Sequence, residues 1–172
     1  MSRSTQDHVD RLRGQWEREL PDVDTQGMEI LGRARRITLR VRPPIEAVFE
    51  EHGLDTGEFD VVSALLRSGP PYRMRPTELY KSLMISSGGL TDRLARLTRA
   101  GLIRRPATEG DARSLPVELT REGRERTEAA FRADMAVEAR LLAGLSRNER
   151  ATLTSLLRKL ALSLETAESE DG

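Results

Sequence analysis

Between Pro76 and Thr120 the spacing of apolar residues changes character, and few folds accommodate that change. Pro76 to Leu83 (PTELYKSL) reads as a short helix whose proline sits in the first turn, where a missing N–H costs no bond. Met84-Ile85-Ser86 leaves room only for a tight connector. Ser86 to Ala100 (SSGGLTDRLARLTRA) spaces Leu90, Leu94 and Leu97 at helical intervals, and Gly101 stops it. Leu102 to Pro106 and Leu115 to Leu119 (LPVEL) then read as two strands, joined by Ala107 to Ser114 with the turn-forming pair Gly110-Asp111. A short helix, a tight turn, a second helix and a two-stranded hairpin make a winged helix-turn-helix.

The rest of the chain reads as helix. A short one is expected over about Thr5 to Glu19, ended by Pro21, and a second from about Gly27 to Glu51. Pro43-Pro44 should kink or interrupt that second helix, and Gly53 should stop it. A third runs from Thr56, the expected N-cap, to Arg67 before Ser68-Gly69-Pro70-Pro71 breaks the chain. Thr120 is expected to cap a long helix to about Leu145. Ser146 should cap the last, to about Glu165, with Leu153, Leu156, Leu157, Leu160 and Leu164 in one stripe. The fold class is mainly α: an extra helix and a further helix over 1–52, the winged helix over 53–120, and two helices over 121–172. Leu141, Leu142, Leu145 and the stripe at 153–164 exceed what one small winged helix needs, so the two helical ends are the candidate dimerisation region.

Composition removes whole function classes. With no cysteine there are no disulfides, thiolate nucleophiles or zinc-thiolate sites, and His8 and His52 are the only imidazoles. Gly88-Gly89 matches neither G-x-G-x-x-G nor a P-loop, and the acidic PDVD at 21–24 lacks a calcium-loop pattern. No catalytic residues, metal or cofactor are expected, and the chain is not read as an enzyme. No apolar run approaches the roughly 18 residues of a membrane span, and the first 25 residues lack the apolar block of a secretory signal, so a cytoplasmic address is expected. Net charge is zero but uneven. Residues 1–71 hold 10 basic and 13 acidic groups, 72–113 hold 9 and 4, and 114–172 hold 9 and 11. A basic middle between acidic flanks suits a chain whose middle alone meets a polyanion, though ordinary fluctuation gives the same numbers.

The run Ser86-Ser87-Gly88-Gly89-Leu90-Thr91-Asp92-Arg93-Leu94, followed by Leu97, Gly101-Leu102-Ile103, Asp111-Ala112-Arg113-Ser114 and Leu119-Thr120-Arg121-Glu122-Gly123, resembles the MarR family of bacterial transcription regulators. The element order agrees from about residue 27 to 165. The resemblance implies a homodimer, one winged helix per subunit, and a roughly palindromic double-stranded operator. Helical geometry agrees with that reading. Leu90, Leu94 and Leu97 share the inward face, while Gly88, Asp92, Ala95 and Arg99 face out and Ser87, Thr91 and Arg96 flank them. That small, polar outer face suits close approach to base edges. The expected DNA contacts are therefore Ser86, Ser87, Gly88, Thr91, Asp92, Arg96 and Arg99. In the hairpin, Arg113 is the minor-groove arginine, held by Asp111 as the resemblance implies. Arg104 and Arg105, with Arg73 or Arg75, are expected on phosphates.

A narrower resemblance is to the PecS-like, urate-responsive branch of that family. It implies a tryptophan on an added first helix, an aspartate and an arginine seven apart, and a second arginine in the reading helix. Trp16, Asp60, Arg67 and Arg93 supply all four. Seven residues is about two helical turns, so Asp60 and Arg67 project from one side. Arg93 sits at the edge of the leucine face and points toward its own protein. A pair Asp60–Arg93 would tie the sensing helix to the reading helix, as a switch or as a plain structural link. The implied ligand is a small anion: urate or a related purine first, a citrate- or aconitate-type carboxylate next, a phenolic acid third. A ligand-independent regulator and a winged helix that binds protein remain the alternatives.

Overall fold

The computed structural model describes residues 6–83, 89–106 and 116–170. Helix α1 spans His8–Glu19 and is started by Asp7, whose carboxylate accepts from the Val9 and Asp10 N–H groups while Asp10 reaches back to the Asp7 N–H. This reciprocal cap places the helix start after the Thr5 expected from the sequence. A π-helical turn, Met28–Gly32, leads into α2, Arg33–Glu51. Arg33 fastens the two helices together, donating to Asp7 at 2.9 Å and to Asp10 at 2.6 Å.

Pro43 and Pro44 do not interrupt α2. A proline φ is itself compatible with a helix. Beyond the pair, Val48 and Phe49 are buried against the rest of the chain, so packing outweighs the lost backbone bonds. Phe49 stacks on Phe59 with ring centroids 4.0 Å apart.

Helix α3, Thr56–Arg67, is the hub of the fold, packing on α4, α5, α6 and the sheet. Its N-cap is Asp55, not Thr56. Asp55 accepts from the Glu58 N–H at 2.7 Å and Glu58 accepts from the Asp55 N–H at 2.9 Å. The carboxylate one position earlier completes a two-way box that a threonine hydroxyl at 56 could not. Val61, Val62 and Leu65 on this helix are fully enclosed, together with Leu79, Leu97, Leu102, Ile103 and Val117.

Helix α4 is Pro76–Ser82 and α5 is Leu90–Arg99, stopped by Gly101 with φ +73°. Among the described residues the sheet has three strands where two were expected: β1 Arg73–Met74, β2 Ile103–Arg104 and β3 Val117–Leu119, in the order β1-β3-β2, all antiparallel. β1 was hidden because two residues carry no readable period. The other two strands are also shorter than the sequence suggested. The expected turn residues Ala107 to Ser114 fall outside the described residues.

Thr120 starts α6, Arg121–Leu141, accepting from the Gly123 N–H and donating to the Gly101 carbonyl at 2.7 Å. Helix α6 ends four residues earlier than expected. Ser146 and Glu149 then cap each other's backbone, and α7 runs over Arg147–Glu170, beyond the expected Glu165. Within its own chain α7 makes no substantial contact with any other described element.

Candidate DNA interface and effector cluster

The reading helix α5 is amphipathic in the expected sense. Leu94 and Leu97 are buried and Leu90 packs against the same core, whereas Thr91, Asp92, Ala95 and Arg99 are exposed. Its face away from the core therefore carries small side chains, with the Arg99 guanidinium exposed at the C-terminal end. Ser86, Ser87 and Gly88, expected at the helix start, and Asp111 and Arg113, expected in the wing, lie outside the described residues.

Arg96 does not extend outward as its sequence position suggested. Its Nε donates to Glu58 at 2.7 Å, Nη2 to Asp55 at 2.6 Å and Nη1 to Asp92 at 2.8 Å. The two carboxylates that cap α3 thus also receive the arginine of α5. Glu58 above all raises the Arg96 pKa. A guanidinium fork held by three carboxylates positions α5 and has few donors left for phosphate.

At the root of the wing, Glu118 on β3 faces Arg73 on β1 and Arg104 on β2, because the register pairs Glu118 with both. Arg73 donates to Glu118 through Nε at 2.9 Å and Nη2 at 2.5 Å, and Arg104 through Nη2 at 2.6 Å. Glu118 is 8% exposed, and the hydrogen bond from Arg104, then that from Arg73, lowers its pKa. Arg73 and Arg104 stay partly exposed at 42% and 65%. Arg105 is exposed beside them. Sequence reasoning missed Glu118. The signal available was one acid alternating with Val117 and Leu119 in a strand.

The four residues of the expected effector site are distributed over three places. Asp60 is buried in α3 at 6% exposure. The Arg93 guanidinium of α5 lies against Gly57, so close that a Cβ there would come within 2.7 Å of its Cζ. Gly57 is one turn before Asp60, so Arg93 rests on the same side of α3. Arg67, at the end of α3, donates to Ser63 Oγ at 3.1 Å and to the Ser82 carbonyl at 3.2 Å, joining α3 to the end of α4. Trp16 is half exposed and lines a cavity of about 350 Å³ with Leu20, Val23, Thr25 and Met28. Asp60, Arg67 and Arg93 do not line that cavity. Among the described residues there is no acidic or histidine cluster able to hold a metal, and no helix long and apolar enough to cross a membrane.

Comparison with known proteins agrees with this architecture. A MarR family profile matches residues 52–114. The chain is 36% identical to the HTH-type transcriptional regulator PecS of Dickeya dadantii (strain 3937) over 143 residues, covering 83% of this chain and 86% of that one. It is 30% identical to the HTH-type transcriptional repressor Rv2887 of Mycobacterium tuberculosis (strain ATCC 25618 / H37Rv), covering 73% and 88%. The fold matches a mutant MarR from E. coli, solved in complex with operator DNA, with a TM-score of 0.64 at 24% identity over 84% and 96% of the two chains. The chain therefore belongs to the MarR family of winged-helix transcription regulators, on its PecS-like branch, a family of DNA-binding regulators and not of enzymes.

Proposed function

We propose that this regulator is a cytoplasmic homodimeric repressor whose α5 and wing hold a palindromic operator, and which a small anionic metabolite releases. The observation that carries the reading is the seam between α3 and α5. Arg93 of the reading helix lies on Gly57, one turn from buried Asp60, and Arg96 is held by Asp55 and Glu58 at the start of the same helix. Any anion that draws Arg93 away from α3 alters the setting of α5, and so couples effector to operator through their different affinities for the two settings. Arg67, two turns along α3 from Asp60, supplies a guanidinium for a planar acid. Urate or a related purine is the first candidate, in keeping with the branch, and a citrate- or aconitate-type acid the second.

The exposed outer face of α5 supports groove entry, with Thr91, Asp92 and Arg99 toward the bases and Arg104 and Arg105 toward phosphate. Dimerisation accounts for the apolar surface left bare by one chain: Ile30, Leu31, Ile37 and Leu39 near the N-terminus, and the leucines of α7. In the dimer, Trp16 reaches the effector only if α1 is brought against the α3–α5 seam, because its own cavity lies elsewhere.

The test is fluorescence-polarisation binding to DNA from upstream of the chain's own gene, titrated separately with urate, citrate and trans-aconitate. Release by one of them, lost in Arg67→Ala, is the expected result. Tight, salt-sensitive binding that none of them moves would overturn the anionic-effector reading and leave a ligand-independent regulator. Binding without a salt slope would overturn operator contact itself.

A further inference from the structure

The reading helix carries an acid where DNA brings negative charge. Asp92 stands in the first turn of α5, and its side chain is 70% exposed on the face away from Leu94 and Leu97. In a helix that enters the major groove, the residues nearest its N-terminus reach the base edges. An acid there is repelled by the phosphates on either side of the groove. It lowers affinity for DNA of every sequence except one whose bases donate to it.

The acid is also held in place. Arg96, one turn further on, donates from Nη1 to Asp92 Oδ2 at 2.8 Å. The other arms of the same guanidinium reach α3, with Nε donating to Glu58 at 2.7 Å and Nη2 to Asp55 at 2.6 Å. One side chain thus ties the Asp92 carboxylate to the helix behind it. Among the described residues no donor reaches the second oxygen, Oδ1. The next outward residue along α5 is Ala95, whose methyl group leaves room for close approach.

A carboxylate oxygen only accepts. In the major groove guanine N7 and O6, thymine O4 and adenine N7 are all acceptors, and only cytosine N4 and adenine N6 donate. Adenine places its N7 lone pair beside N6, where it opposes a carboxylate. Cytosine places a C–H there. We propose that Asp92 reads one cytosine in each operator half-site, Oδ1 accepting from the N4 amino group, and that Arg96 positions the carboxylate by holding Oδ2. This rests on the operator reading above and assigns base choice within it.

The experiment uses the full chain and a duplex library with a randomised core of about 20 base pairs, two helical turns. Bound sequences are selected with native protein, Asp92→Asn, Asp92→Ala and Arg96→Met, and single-base-pair variants of the recovered site are then compared by competition binding. Thermal melts check that each variant is folded. Native protein should recover a two-fold site with one C·G pair in each half whose replacement by T·A weakens binding about tenfold. Asp92→Asn should exchange that preference for A·T, because an amide donates to adenine N7 while accepting from N6. Asp92→Ala should lose discrimination at that pair and bind random duplex more tightly than native protein, since the repelling charge is gone. Arg96→Met should weaken the preference at that pair more than at any other. Native protein that enriches no sequence overturns the operator reading together with this one. A site that both Asp92 variants recover unchanged, or folded Asp92 variants that bind no DNA, overturns the role of Asp92 alone. Equal weakening at every position in Arg96→Met overturns the positioning role of Arg96.

Discussion

Replacing Glu118 by glutamine should weaken the fold while strengthening its hold on DNA of any sequence. Glu118 accepts three hydrogen bonds from two guanidiniums and is nearly enclosed. Charged hydrogen bonds contribute about 1.5–3 kcal/mol each when buried. Here the arginines are 42% and 65% exposed, so solvent screens most of the Coulombic part. Glutamine retains one carbonyl acceptor and turns an amide toward the other guanidinium. The net loss is about 2 kcal/mol, or roughly 4–8 °C in Tm for a chain of this size. Because Arg104 and Arg73 hold the Glu118 pKa below its ordinary value, that stabilisation is complete above the ordinary glutamate range and disappears as pH falls through the lowered folded value. Thermal melts of native and Glu118→Gln protein should therefore differ by a constant amount from about pH 8 to 5, and converge only below that. Polarisation binding to a random duplex should tighten at the same time, since two wing-root arginines lose their carboxylate, with a salt slope steeper by up to about 0.9. An unchanged Tm at pH 7, or a gap that widens on acidification, would refute the reasoning.

Other substitutions separate the remaining contacts. Gly57→Ala should leave the melt nearly unchanged, because the atoms it meets are the mobile end of Arg93, yet reduce operator affinity severalfold; equal affinity would show that Arg93 on α3 does not set α5. Gly123→Ala should cost about 2 kcal/mol or more by denaturant titration, since the added Cβ would run into the Leu102 carbonyl, which is backbone and cannot step aside. Arg96→Met should loosen α5 and weaken operator binding with little change in salt slope; a slope lowered by about one unit would instead mark Arg96 as a phosphate contact. Asp134 is 5% exposed, its Oδ1 has no hydrogen-bond partner among the described residues, and burial, then the nearby Glu138 charge, raises its pKa. A carboxyl raised in the folded state penalises folding once pH exceeds the ordinary aspartate value, so Asp134→Asn should stabilise by about 1 kcal/mol at pH 7. The advantage should shrink on acidification toward the ordinary aspartate range, and a constant or growing advantage would count against a buried charge.

Much of this protein is legible one element at a time. The leucines at 90, 94 and 97 mark the buried face of the reading helix by spacing alone, and Thr120, Ser146 and Gly101 mark helix ends through local chemistry that requires no distant partner. What is not legible at that level involves partners far along the chain. Arg96 looked available for DNA on a helical wheel, but Asp55 and Glu58 lie 41 and 38 residues away in sequence and reach it only because α3 crosses α5. Pro43-Pro44 reads as a kink or an interruption because local propensity disfavours helix there; the interruption does not occur, since tertiary burial of Val48 and Phe49 outweighs the lost bonds. The third strand exists only because Glu118 and Val117 pair with Arg73 and Met74.

Spacing, caps and charge along the sequence therefore determined the class of fold, the identity of the reading helix, and which residues carry positive charge near it. Only the tertiary structure decided which of those charges face outward. A guanidinium is drawn to the nearest anion in space, and whether that anion is a DNA phosphate, a metabolite or a carboxylate of the protein's own α3 depends on how the helices cross. Periodicity within a single element contains no information about that crossing.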